Sequence, residues 1–182
     1  MRVLDLGCGT GHPLDRMGAN EGDFITGVDI NAERLNVARQ RFPNRVYLKA
    51  KGESLPFRDG SFDRAYCAVA LPYMDIPRAL AEIHRVLASP GTVFLTLHSA
   101  GFTLKELLQQ ALPHPVPTLF RVYVLANGLF FHCTGNLLRF SERRIESFQT
   151  KRSIAKVLSR SGFTDVGFRD LDSRFVVEAK KL

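Results

Sequence analysis

The chain has 182 residues, 45% hydrophobic and 24% charged, which excludes a disordered or fibrous protein and leaves room for one buried core rather than two ordinary domains. Cys8, Cys67 and Cys133 are odd in number and form no C-x-x-C pair, so neither a disulfide framework nor a zinc site is indicated and reduced thiols are expected. The net charge of +7 is concentrated at the C-terminus, where residues 139–182 hold 11 Lys and Arg against 6 Asp and Glu, a bias that suits either a solvated helix face or an anionic partner.

The first residues open on a strand-like run rather than a basic, apolar leader, and no run reaches the roughly 18 apolar residues of a membrane span, so a cytoplasmic location is the default expectation. Strands are predicted at Arg2 to Leu6, Phe24 to Asp29, Val46 to Ala50, Phe62 to Val69 and Thr92 to His98, with helices between them. Asn31 caps a helix whose Leu35 and Ala38 face inward while Arg34, Arg39 and Arg41 face out, and Pro43-Asn44 closes it. Asp75-Ile76-Pro77 opens a second helix, with Ala79, Leu80, Ile83, Val86 and Leu87 at helical spacing, which Ser89-Pro90-Gly91 stops. A last helix over about Lys151 to Ser161 precedes two strand-like runs, Asp165 to Leu171 and Arg174 to Ala179, which read as a hairpin. This alternation predicts an α/β fold with a mostly parallel sheet covered on both faces.

Residues 99–148, between the fifth strand and the last helix, are too long for an ordinary connection and are expected to form an insertion. It begins rich in proline and continues with Phe120, Arg121, Tyr123, Phe130 and Phe131. These aromatics either line an apolar acceptor pocket, with Arg121 helping a peripheral membrane contact, or form the insertion's own core.

Gly7, Gly9 and Gly11 form G-x-G-x-G at the end of the first strand, where a tight turn brings backbone close to a ligand at a helix N-terminus. Alone, this pattern is weak. Asp29, at the end of the second strand, is placed to accept both hydroxyls of a ribose, and the pair points to a nucleoside cofactor.

Val3-Leu4-Asp5-Leu6-Gly7-Cys8-Gly9-Thr10-Gly11, then Gly27-Val28-Asp29-Ile30, then Glu53-Ser54-Leu55-Pro56-Phe57 with Asp59-Gly60-Ser61-Phe62-Asp63, then His84-Arg85-Val86-Leu87 with Pro90-Gly91-Thr92 fall in order. Over residues 2–98 the chain resembles the class I S-adenosylmethionine-dependent methyltransferases, especially their small-molecule and quinone-methylating branch. The resemblance implies a Rossmann-like, doubly wound, seven-stranded sheet with an antiparallel last strand, and a single domain spanning residues 1–182. It implies that Gly7, Gly9 and Gly11 pass close to the methionine part of the cofactor and that Asp5 reaches its ammonium. Asp29 would hold the ribose and Ile30 would pack on adenine. Gly52 and Glu53 would lie at the adenine edge, and Ala68 would line the path to the methyl group.

Two departures bear on this reading. Lys51 stands where many relatives carry an aspartate that accepts from the adenine amino group, so adenine recognition is expected to lean on backbone atoms. The helix that covers the cofactor ahead of the first strand in relatives is also missing from this stretch, which leads to an expectation of weak cofactor affinity or of a segment upstream of Met1.

Methyl transfer needs mainly positioning, so a general base is not required. Tyr73, just past the fourth strand, and His98, ending the fifth, are the candidates to orient or deprotonate an acceptor hydroxyl. His12 reads as cofactor wall or helix start, while His114 and His132 read as structural, with His132 also placed to meet substrate. The leading expectation is methyl transfer from S-adenosylmethionine, yielding S-adenosylhomocysteine, to a small, apolar or lipid-like acceptor. An RNA or DNA methyltransferase is the alternative favoured by the basic segment, although Ala70-Leu71-Pro72-Tyr73 only half resembles a motif that holds a flipped base. A non-catalytic methyltransferase-like binding domain is the third.

Overall fold

A computed structural model describes residues 1–12, 14, 20, 22–99, 101, 105, 115–138 and 146–182. Its centre is a seven-stranded sheet of β1 (Arg2–Leu6), β2 (Phe24–Asp29), β3 (Val46–Lys49), β4 (Phe62–Ala68), β5 (Leu87–His98), β6 (Thr164–Leu171) and β7 (Arg174–Lys181), in the order β3-β2-β1-β4-β5-β7-β6. β1 to β5 pair in parallel, while β7 lies antiparallel between β5 and β6, as the terminal hairpin predicted. The order reverses at β1, where the chain winds first towards β3 and then towards β6. In open α/β sheets this switch point is where a ligand finds a crevice.

The helices form where capping and apolar spacing require. In α1 (Ala32–Arg41), Asn31 Oδ1 accepts from Arg34 N–H at 3.0 Å and the buried residues are Leu35 and Ala38. α2 (Ile76–Val86) has Asp75 as its cap and Pro77 in its first turn, and turns Ile76, Ala79, Leu80, Ile83 and Val86 onto the sheet. The insertion contributes α3 (Pro115–Thr134), and α4 (Lys151–Arg160) begins with a capping box between Thr150 and Ser153. α2 and α4 share the main core with β1, β4, β5 and β7, whereas α1 packs Leu35 and Ala38 on Cys8 and Tyr47 in a separate cluster.

One boundary differs from expectation. Leu87 is not the last helical contact of α2 but the first residue of β5, in extended backbone and paired with Phe62 across an irregularity in β4. Ser89-Pro90-Gly91 therefore lies within the strand rather than between elements. The helix ends one residue earlier than its apolar spacing implies because Leu87 is held by a strand partner 25 positions away.

Of the insertion's aromatics, Phe131 is fully buried in the main core. Tyr123 donates to Leu138 O at 2.9 Å and packs its ring 5.8 Å from Phe120, while Phe130 is exposed. The insertion thus contributes to the core and also keeps apolar surface. His132 Nδ1 lies 2.7 Å from Thr150 Oγ1, at the start of α4, and His114 falls outside the described residues. Cys8 and Cys67 are free and buried, and burial pushes both thiols up to about 12, which leaves them inert at neutral pH.

Candidate functional site

The turn after β1 depends on glycine. Gly7, Gly9 and Gly11 have φ of 72°, 53° and 79°, a left-handed backbone that side chains rarely adopt. A Cβ on Gly7 would stand 2.1 Å from the Ala70 Cβ, so the chain leaving β4 lies directly against the turn. A Cβ on Gly9, by contrast, meets no atom of the described residues within 4 Å. The turn is closed underneath by Gly7 and Cys8 N–H groups that both donate to Val28 O, at 2.7 and 3.1 Å.

Asp29, the last residue of β2, ties this turn to α1. Its Oδ2 accepts from Gly9 N–H at 2.9 Å and its Oδ1 from Asn31 N–H at 2.8 Å. Both oxygens keep a second lone pair. Ile30 follows with 64% of its surface exposed, an apolar side chain standing at the strand end.

Asp5 lies below the turn, between Gly27 of β2 and Tyr66 of β4, and is 1% exposed. Its Oδ1 has no hydrogen-bond partner among the described residues. Burial raises its carboxyl to about 7, against the attraction of Arg45 and with the help of repulsion from Asp29. A buried carboxylate with an unused acceptor, beneath a turn that leaves open space above Gly9, suits a ligand bearing a cationic, hydrogen-donating group.

The other wall is the loop after β3. Gly52 is buried, and a Cβ there would meet Met74 Sδ at 2.6 Å. Glu53 turns its Oε1 to accept from Asp75 N–H at 2.8 Å, so its side chain braces the start of α2. Lys51 pairs with Ser54 in an isolated bridge. Ala68 ends β4, and Val69 beyond it has φ of 62°, strained for a β-branched residue. The next residue, Ala70, is the one that lies against Gly7. Tyr73, 62% exposed, sits in a single 3-10 turn over Leu71–Tyr73, and the half-buried His98 ends the neighbouring β5.

The fold thus brings Asp5, the three glycines, Asp29 and Ile30 together at the ends of β1 and β2, with Gly52, Glu53 and Ala68 on the adjoining loop and strand end. Tyr73 and His98 share the same C-terminal edge of the sheet. Three contributors carried no recognisable signal in sequence. Arg41, exposed as expected, nonetheless donates to Thr10 O and Gly11 O at 3.2 and 3.1 Å. Arg45 donates to His12 O at 2.7 Å and stacks 4.1 Å from the Phe42 ring centroid. Met74 fills the space that Gly52 leaves. His12 is half-buried, and its imidazole is held towards the neutral form by burial and by the charges of Arg45 and Arg41.

Residues 4–95 match the family model described as "Methyltransferase domain". Malonyl-[acyl-carrier protein] O-methyltransferase from Pectobacterium atrosepticum is 38% identical over 110 residues, covering 60% of this chain and 43% of that protein. The chain therefore spans less than half the length of that relative. The ubiquinone/menaquinone biosynthesis C-methyltransferase of Bartonella tribocorum is 30% identical over 184 residues, covering 93% of this chain and 66% of that one. Among solved structures, a SAM-dependent methyltransferase from Methanosarcina mazei superposes with a TM-score of 0.68 at 23% identity, over 100% of this chain and 92% of that one.

Proposed function

Because the chain belongs to the methyltransferase-domain family and has the fold of class I S-adenosylmethionine-dependent methyltransferases, we propose that it binds S-adenosylmethionine at these strand ends and methylates a small, apolar or lipid-like acceptor. The observation that carries the reading is the buried Asp5 carboxylate, with an unused oxygen, under a glycine turn that is open above Gly9. Asp5 would hold the ammonium of the cofactor, and Gly7, Gly9 and Gly11 would admit its methionine portion. Asp29, already fixed by Gly9 and Asn31, would accept from the ribose hydroxyls through its remaining lone pairs, and Ile30 would cover adenine. Gly52 would approach the adenine edge through its backbone, Glu53 would hold that loop against α2, and Ala68 would border the route to the methyl group.

The bound cofactor supplies a methyl already activated by its sulfonium, so the protein's work is to hold an acceptor in line and keep water out. Tyr73 and His98 would orient the acceptor, or take its proton when the acceptor is a hydroxyl. Similarity to a quinone-pathway enzyme over 93% of the chain supports the apolar acceptor class. Calorimetry of the purified chain with S-adenosylmethionine and S-adenosylhomocysteine is expected to give micromolar binding that Asp29→Ala abolishes. A folded wild-type chain that binds neither molecule would end this reading.

A further inference from the structure

α3 buries one face and leaves the other apolar face uncovered. Val124, Asn127, Gly128 and Phe131 point inward. Leu119, Val122 and Leu129 are 74%, 56% and 61% exposed, and Ala126, Phe130 and Cys133 are exposed with them. At 3.6 residues per turn these six lie within an arc of about 100°, with no charged residue among them. An apolar stripe of this kind on the surface implies something that covers it.

The C-terminal end of the stripe meets a group of cations. Cys133 and His132 line one cavity with Arg152 and Lys156 of α4. Lys156 Nζ donates to Cys133 O at 3.0 Å and Arg160 Nη1 to Thr134 O at 2.8 Å, both neutral carbonyls. Arg152 has no hydrogen-bond or ion-pair partner among the described residues, so none of the three is neutralised by a carboxylate there. Elsewhere in the same region charges are matched, as in Lys151 with Asp170 at 2.7 Å and Lys180 with Asp165 at 3.3 Å.

We propose that the outward face of α3, with Arg152, Lys156 and Arg160 beside it, is a docking surface for an anionic lipid bilayer. A bilayer offers both things this surface lacks, acyl chains for the leucine and valine side chains and phosphate headgroups for the uncompensated cations. A second copy of the chain seated symmetrically on the same face would set Arg152, Lys156 and Arg160 against their own counterparts, where like charges repel. Nucleic acid would supply phosphates but nothing to bury Leu119, Val122 and Leu129. No helix among the described residues is long and apolar enough to cross a membrane, so α3 would lie in the plane of the interface. The surface does not depend on the identity of the methyl acceptor.

Sedimentation of the full chain with phosphatidylglycerol/phosphatidylcholine vesicles, and with phosphatidylcholine alone, tests the idea. Binding to the anionic vesicles is expected to be at least about tenfold stronger, to weaken with salt, and to fall at least about tenfold in the double variant Leu119→Glu, Leu129→Glu. Arg152→Glu should remove most of the anionic preference. These side chains are already exposed, so circular dichroism and S-adenosylhomocysteine binding should be unchanged. Equal binding to both vesicle types, full binding by the double variant, or a wild-type dimer that Leu129→Glu dissociates would each overturn the proposal. Vesicle binding by a chain that fails to bind S-adenosylhomocysteine would sink the methyltransferase reading and leave this one standing.

Discussion

Asp5 gives the site a pH dependence whose sign is fixed by its burial. The folded chain keeps this proton up to about 7, whereas an ordinary aspartate releases it near 3.8. Its contribution to stability is therefore full below about 4 and is lost as pH rises towards 7. Asp5→Asn should flatten that slope in thermal melts across the same window. A bound ammonium favours the ionised form, so cofactor binding should expel the proton and affinity should fall as pH drops below about 7. Calorimetry at pH 6 in two buffers of different ionisation enthalpy would show the released proton, and identical enthalpies would refute the assignment. The glycines separate structure from function at the same scale. Gly9→Ala meets no neighbour among the described residues and should cost only about 1 to 2 kcal/mol from its left-handed backbone, while weakening S-adenosylhomocysteine binding more than tenfold. Gly7→Ala collides with Ala70 and should lower the melting temperature much further. Equal destabilisation by both would show that Gly9 does not border open ligand space.

The loop after β3 is held in place at the scale of elements, by α2. Arg85 donates from Nε to Glu82 Oε1 at 2.7 Å, from Nη1 to Phe57 O and Asp59 Oδ1 at 2.8 Å each, and from Nη2 to Leu55 O at 3.0 Å. Glu82 Oε2 accepts in turn from Leu55 N–H at 2.7 Å. One guanidinium thus fixes residues 55–59, and so the loop after β3, to the helix. Arg85→Met should cost about 2 kcal/mol and open residues 51–59 to limited proteolysis, and Arg85→Lys should not restore it because an ammonium lacks the fork. Unchanged proteolysis would show that the loop holds itself. Leu55-Pro56-Phe57 and His84-Arg85 were each visible in the sequence as separate motifs, but not as partners. The physical basis of their pairing, a charge from one element satisfying carbonyls of another, was not visible either, because composition does not say which carbonyls an arginine reaches.

Across the whole molecule, stability should follow position in the sheet. β1, β4 and β5 are paired on both sides, whereas β3 and β6 are edges. Native-state hydrogen exchange should be slowest for central amides of β4 and β5 and should reach β3 and β6 through local fraying. Comparable protection at the edges would contradict this ordering.

By itself the sequence determined the seven strands, the cap of α1, the opening of α2, the presence of α4, and the glycine turn with Asp29 near it, because those signals are local: alternation, helical spacing, and backbone angles that only glycine takes easily. Only the tertiary structure decided where β5 begins, since Leu87 becomes strand through a partner in β4. It likewise decided that Ala70 and Met74 press on Gly7 and Gly52, that Arg41 and Arg45 latch the turn, and which aromatics of α3 are core and which are surface. Those outcomes depend on contacts between residues far apart in the chain. No local pattern encodes them, because packing selects the neighbours only after the sheet has formed.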